Sequence, residues 1–312
     1  MDGSTLGSLG AALLGTGVYY VAFVLFRHAA LRMPPLRGGR PFQTAWSMLA
    51  DGVWFMGGLM LFVGLAYQVI AFLWLPLGVA QPAFAASLLV LIAYSAAYLG
   101  ERLSRREWVS VGLFGAAIVM LGLSGGQRAD ELDASAPSLP LLALVVIPPL
   151  LIAGLVWLVG DRRRGGRHAK PLAGVAYGIG AGVGAGVAET GIRGIAAVWA
   201  SQESVLAVLE SPYPYLTLGM AGISLLQLQV ALQRCRLVIV AVILTVTGRA
   251  MLVLCSTVLF DEPWPEDTGP LLLRYGGFAL LALGIFLFPR HELPRSSVPT
   301  LSPLRRIAEG RP

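Results

Sequence analysis

A carboxylate and a guanidinium stand four residues apart in the run GVGAGVAETGIRG, residues 182 to 194: Glu189 and Arg193. On a helix this spacing puts both on one face, where they can pair. Charges at membrane depth are costly, so they usually pair and face a bundle interior or a water-filled cavity. The expected arrangement is a Glu189–Arg193 ion pair bordering an outer vestibule, with a purely structural pair as the alternative. Arg249 is the deepest cation with no evident partner, and a guanidinium there suits a carboxylate or phosphate of a substrate. Asp51 and Gln81 complete the candidate substrate pathway, Asp51 being equally suited to a capped or solvated interfacial position. A site built for a divalent cation alone would need several converging carboxylates or carbonyls. Arg249 argues against that, or for a site shared with an anionic or zwitterionic substrate.

Bond-making chemistry finds little support. The three His, at 28, 168 and 291, do not cluster at metal-ligand spacing. Cys235 and Cys255 are 20 residues apart on one expected helix, about 30 Å along its axis, too far for a disulfide. No paired-Asp motif suggests a lipid-processing enzyme, and no Gly-x-x-x-x-Gly-Lys run suggests an ATP-driven pump. The expectation is a protein that is not an enzyme and needs no cofactor.

The elements that must position these residues follow from composition. Of 312 residues, 56% are hydrophobic and 13% charged, against about 25% charged in an average soluble domain. Apolar stretches of about 20 residues recur, each long enough to cross a hydrocarbon core as a helix. Nine spans are expected, at 8–30, 45–72, 77–99, 107–125, 138–160, 172–200, 212–233, 238–260 and 269–289. The alternation of a transmembrane β-barrel is missing. The leading MDGSTLGSLG has no Lys or Arg, which a cleaved signal would need, so span 1 is expected to stay.

Of the 23 basic residues, 19 fall in alternate loops and the C-terminal segment, one (Arg128) falls in the opposite loops, and three lie within spans. The positive-inside bias therefore predicts an all-α membrane protein of nine spans with its N-terminus outside and C-terminus inside. The net charge of +6 thereby reflects orientation, not nucleic-acid binding. The tail after 289 is expected to be disordered, with arginines near lipid headgroups.

The basic run DRRRGGRHAK divides the chain. Spans 1–4 (within 1–126) and 6–9 (within 171–289) have opposite orientation, joined by the segment 127–170 that holds span 5, with 290–312 as the tail. Such inverted halves can open a central site alternately to either side. In span 6, Gly174, Gly178, Gly182 and Gly186 recur every four residues, a face for close helix packing, beside the row Ala181, Ala185, Glu189, Arg193. Pro82 frees a carbonyl beside Gln81, and Pro148 and Pro149 are expected to kink span 5, for a hinge or for packing.

GERLSRREWVSVGLFGAAIVMLGL (100–123) resembles the signature of the EamA-like drug/metabolite transporters, a Gly-Glu-Arg turn before a Gly- and Ala-rich helix. LPLGVAQP (75–82) and ALQ…LTVT…LFDE are closer to the NIPA-like branch, which includes magnesium transporters. The sequence departs from that pattern where Gly248 and Arg249 replace an Asn-Pro and LFDE replaces LFGE. The resemblance implies a secondary transporter in the cytoplasmic membrane, taking a small molecule or ion, with lipid as a partner and a homodimer allowed. The narrower alternative is a divalent-cation carrier. A membrane enzyme and a non-transporting scaffold are the other classes.

Overall fold

The computed structural model describes residues 3–36, 41–75, 91, 92, 95, 104–124, 132, 137–160, 169–262 and 264–287, and the only regular structure among them is helical. In chain order the helices are α1 (Gly3–Arg32), α2 (Pro41–Leu49), α3 (Gly52–Trp74), α4 (Arg105–Leu123), α5 (Leu139–Gly160), α6 (Ala169–Gln202), α7 (Val205–Glu210), α8 (Tyr213–Arg234), α9 (Leu237–Leu259) and α10 (Thr268–Leu287). Among the described residues six stretches are long and apolar enough to cross a membrane: Leu13–Arg32, Gly52–Trp74, Arg105–Leu123, Leu139–Leu158, Tyr213–Arg234 and Leu237–Leu259. The chain is a multi-pass, membrane-embedded helical protein. α6 is longer than any of these at 34 residues, but its glycines, Glu189 and Arg193 dilute its hydropathy.

Two expectations change. Span 2 is broken into α2 and α3, because Asp51 turns its carboxylate onto the Trp54 N–H at 2.9 Å and caps α3. A short polar side chain that bonds its own backbone favours a helix start over a helix interior. The short α7, capped by Ser204 after Glu203 at φ +48, was not anticipated. Pro148, which is exposed, and Pro149, which is buried, both lie inside α5. Of span 3 only Leu91, Ile92 and Ser95 are described, so Gln81 and Pro82 lie outside the described residues, as does the tail.

Glycines set the helix spacing. α6 wedges between α8 and α9. A Cβ on Gly182 would stand 2.8 Å from the Leu244 carbonyl and one on Gly186 2.5 Å from the Gly248 carbonyl, so this row lies directly on the α9 backbone. Gly180, Gly184 and Gly191 form a second row against Gln227, Ser224 and Thr217 of α8. α1 and α3 meet in the same way, where a Cβ on Gly64 would lie 3.0 Å from the Gly15 carbonyl. Close backbone approach of this kind gives helices in lipid the van der Waals contact that holds them together. α4 packs on α10, α3 on α6, and α1 on α8. The outward faces of α3 and α5 are apolar and exposed, with Phe55, Leu59, Phe62 and Leu151, Leu155 among them. Those are the surfaces lipid would cover.

The two ends of the bundle are joined differently. Where α1 and α8 finish, the contacts are polar. Gln229 donates to the Phe26 carbonyl at 3.0 Å and Gln233 to the Ala30 carbonyl at 2.7 Å, while the Leu36 N–H donates back to Gln233 Oε1 at 2.8 Å. Arg27 adds bonds to the Leu232 carbonyl and to that of Cys235 at 2.7 Å. Where α3 and α6 finish, the contact is an apolar cluster of Ala71, Phe72, Leu75, Ile192, Ala196 and Leu252.

Candidate functional site

Between these two ends lies a chamber of about 40 Å³, room for water alone. Tyr19 and Phe23 of α1, Leu61 and Leu65 of α3, Ala185, Ala188, Glu189 and Ile192 of α6, Thr217, Ala221, Ser224, Leu225 and Leu228 of α8 and Leu244 of α9 line it. The row noted on α6 explains the placement: while the glycines hold that helix against α8 and α9, Ala185 and Glu189 face the space left between. Tyr19, Phe23, Thr217 and Ser224 were not foreseen as site residues. Polar residues spaced along the otherwise apolar 217–233 were the signal available for the last two.

Glu189 is paired, but not with its helical neighbour. Arg249 of α9 donates to Glu189 Oε2 at 2.6 Å, and the two residues are 4% and 7% exposed. Arg193 instead meets Glu262, just beyond α9, through two bonds of 2.7 Å each, with its guanidinium 5.8 Å from the centre of the Phe260 ring. The expected Glu189–Arg193 pair is therefore corrected, and so is the reading of Arg249 as unpaired. The reason is charge balance. With four buried charges, an intrahelical pair would strand Arg249 and Glu262, whereas the cross-helix pairing leaves none alone, and a forked Arg–carboxylate bond is stronger than a single contact.

For Asp51 the capped alternative holds and the pathway role does not: it caps α3 and is absent from the chamber wall. Pro148 and Pro149 do not line the chamber, and Gly178, Gly182 and Gly186 act at the α6–α9 contact. Beyond the apolar cluster, Arg274 donates to Ser124 Oγ at 3.1 Å and lies over the Trp264 ring at 4.8 Å. At the opposite end Arg236 pairs with the buried Glu107, whose second role is the capping box with Ser104 that starts α4. Chemically the chamber can recognise charge in an apolar setting; among the described residues it presents no nucleophile–base pair. Among the described residues, no group of three or more His, Cys, Asp or Glu could hold a metal. Comparison with family models, with curated proteins and with solved structures finds no match to this chain.

Proposed function

We propose that the protein is a secondary transporter that carries a small metabolite or ion across the cytoplasmic membrane by alternating access, as its resemblance to the drug/metabolite transporters implies. The observation that carries this reading is the Glu189–Arg249 pair set against a chamber lined from five helices. A purely structural pair needs no chamber beside it. The layout of nine spans in two inverted halves with the N-terminus outside belongs to the same proposal. It is supported by the pattern of helix contacts: α1–α3 has its counterpart in α6–α8, α1–α8 in α3–α6, and α4–α10 joins the last helices of the two halves. In this layout the polar closure at Arg27 faces the cytoplasm and the apolar cluster at Leu75 faces outside.

The divalent-cation alternative is less well supported. Among the described residues only one carboxylate lines the chamber, and Arg249 already neutralises it. The test begins with purified protein screened for thermal stabilisation by Mg²⁺, amino acids, nucleotide sugars and cationic drugs, because a ligand of the native state must raise stability. Flux of the stabilising compound into proteoliposomes is then expected, with its loss in Arg249→Gln. Unchanged flux through a folded Arg249→Gln protein takes the pair out of the pathway; a change in stability with no flux in either protein marks a scaffold.

A further inference from the structure

Glu189 meets the chamber with half of its carboxylate uncommitted. Arg249 holds Oε2, and among the described residues no donor reaches Oε1. The Thr217 and Ser224 hydroxyls are engaged, donating to the Ala188 carbonyl at 3.3 Å and the Ala181 carbonyl at 2.7 Å. Glu189 is the one charged side chain lining the chamber among the described residues, and Arg249, bonded to it without itself lining the chamber, balances its charge. A cargo bringing net charge would stand uncompensated at membrane depth, where isolated charge is costly. A zwitterion avoids that cost by converting one internal ion pair into two cross pairs whose sum stays zero, and the guanidinium has donors enough to exchange one carboxylate for another. We propose that the chamber takes a small zwitterion with an apolar body, such as an amino acid with an aliphatic or aromatic side chain, its ammonium group on Glu189 and its carboxylate in the place of Glu189 on Arg249. The leucines of the wall must part to admit it. This deepens the transport reading and rests on it for the route alone.

Three matched probes test the charge state while keeping the apolar body: leucine, leucine methyl ester (cation only) and N-acetyl-leucine (anion only), with the phenylalanine and methionine sets alongside. At a few times Kd, a free amino acid is expected to raise Tm by about 2–4 °C, and its ester and N-acetyl forms are expected to leave Tm unchanged. The shift is expected to vanish in Glu189→Gln. An ester that stabilises as well as its amino acid, an N-acetyl form that does so, or no response to any set overturns the proposal without touching the transport reading. Selective stabilisation without counterflow of that amino acid in proteoliposomes leaves the zwitterion site standing and sinks transport.

A second observation lies outside the chamber wall. Gln68 and Gln229 are each the 17th residue of their helices, α3 and α8, and each is 1% exposed. Gln229 has its bond to the Phe26 carbonyl of α1. Among the described residues Gln68 has no partner for either its nitrogen or its oxygen, although α3 packs on α6 and Phe72, one turn on, clusters with Ile192. A buried amide left unmade is costly unless another conformation supplies its bonds. We infer that the two glutamines take turns, Gln68 bonding the α6 backbone near Ile192 when the Gln229–Phe26 bond is released. Replacement by leucine separates them: Gln68→Leu is expected to raise Tm by removing an unsatisfied group, and Gln229→Leu to lower it by removing a made bond. Gln68→Leu is also expected to reduce maleimide labelling of a Thr217→Cys reporter from the Arg27 side. A fall in Tm for Gln68→Leu, or a rise with labelling unchanged, overturns the inference.

Discussion

Four buried charges, Glu189, Arg193, Arg249 and Glu262, decide how the centre and one end of the bundle are held. Removing one partner leaves the other buried and alone, so Glu189→Gln is expected to cost about 3–5 kcal/mol of stability. Adding Arg249→Met should recover most of it. A double-mutant cycle by denaturant unfolding in detergent would then give a larger coupling for Glu189 with Arg249 than with Arg193; the reverse ranking would contradict the pairing described. Local spacing brings Glu189 and Arg193 to one face, but it is blind to partners 60 and 69 residues away, and those win because they neutralise all four charges. Asp261 shows the opposite case. It sits at φ +49, in the turn that delivers Glu262 to Arg193, where the resembling pattern LFGE has glycine. Asp tolerates this left-handed conformation and a β-branched residue does not. Asp261→Gly is therefore expected to hold or raise Tm, while Asp261→Val lowers it.

At the scale of the helices, the four-residue glycine period of α6 was legible in the sequence, and its unequal demands were not. A Cβ on Gly178 would make ordinary contact with Ile243 at 3.5 Å, whereas one on Gly182 or Gly186 would press on the α9 backbone. Gly178→Ala should thus stay within about 0.5 kcal/mol of the parent. Gly186→Ala should cost about 1–3 kcal/mol through forced separation of α6 and α9. Equal melting temperatures for the two variants would show that the stripe does not set the spacing. The ends of the described long helices were readable to within a few residues, apart from that of span 2, because apolar runs end where charges and prolines begin. The break at Asp51 was half legible: a capping role was open to the carboxylate, but the flanking residues remain apolar on both sides, and only its bond to Trp54 separates two helices from one.

At the scale of the whole molecule, the class of fold followed from hydropathy and basic-residue bias, properties summed over many residues and so insensitive to any one of them. The chamber did not, because its wall draws on five helices whose neighbours are fixed only by tertiary packing. The unlike ends of the bundle have a thermal consequence. Parting the cluster around Phe72 and Leu75 wets apolar surface, which raises heat capacity, whereas parting Gln229, Gln233 and Arg27 from α1 wets mainly amides and carbonyls, which lowers it. The two openings must therefore respond to temperature with opposite curvature, and apolar closure weakens on cooling. A Thr217→Cys reporter is expected to gain accessibility from the Leu75 side, relative to the Arg27 side, as the temperature falls, so that under the proposed transport cycle the waiting face is set by how warm the membrane is.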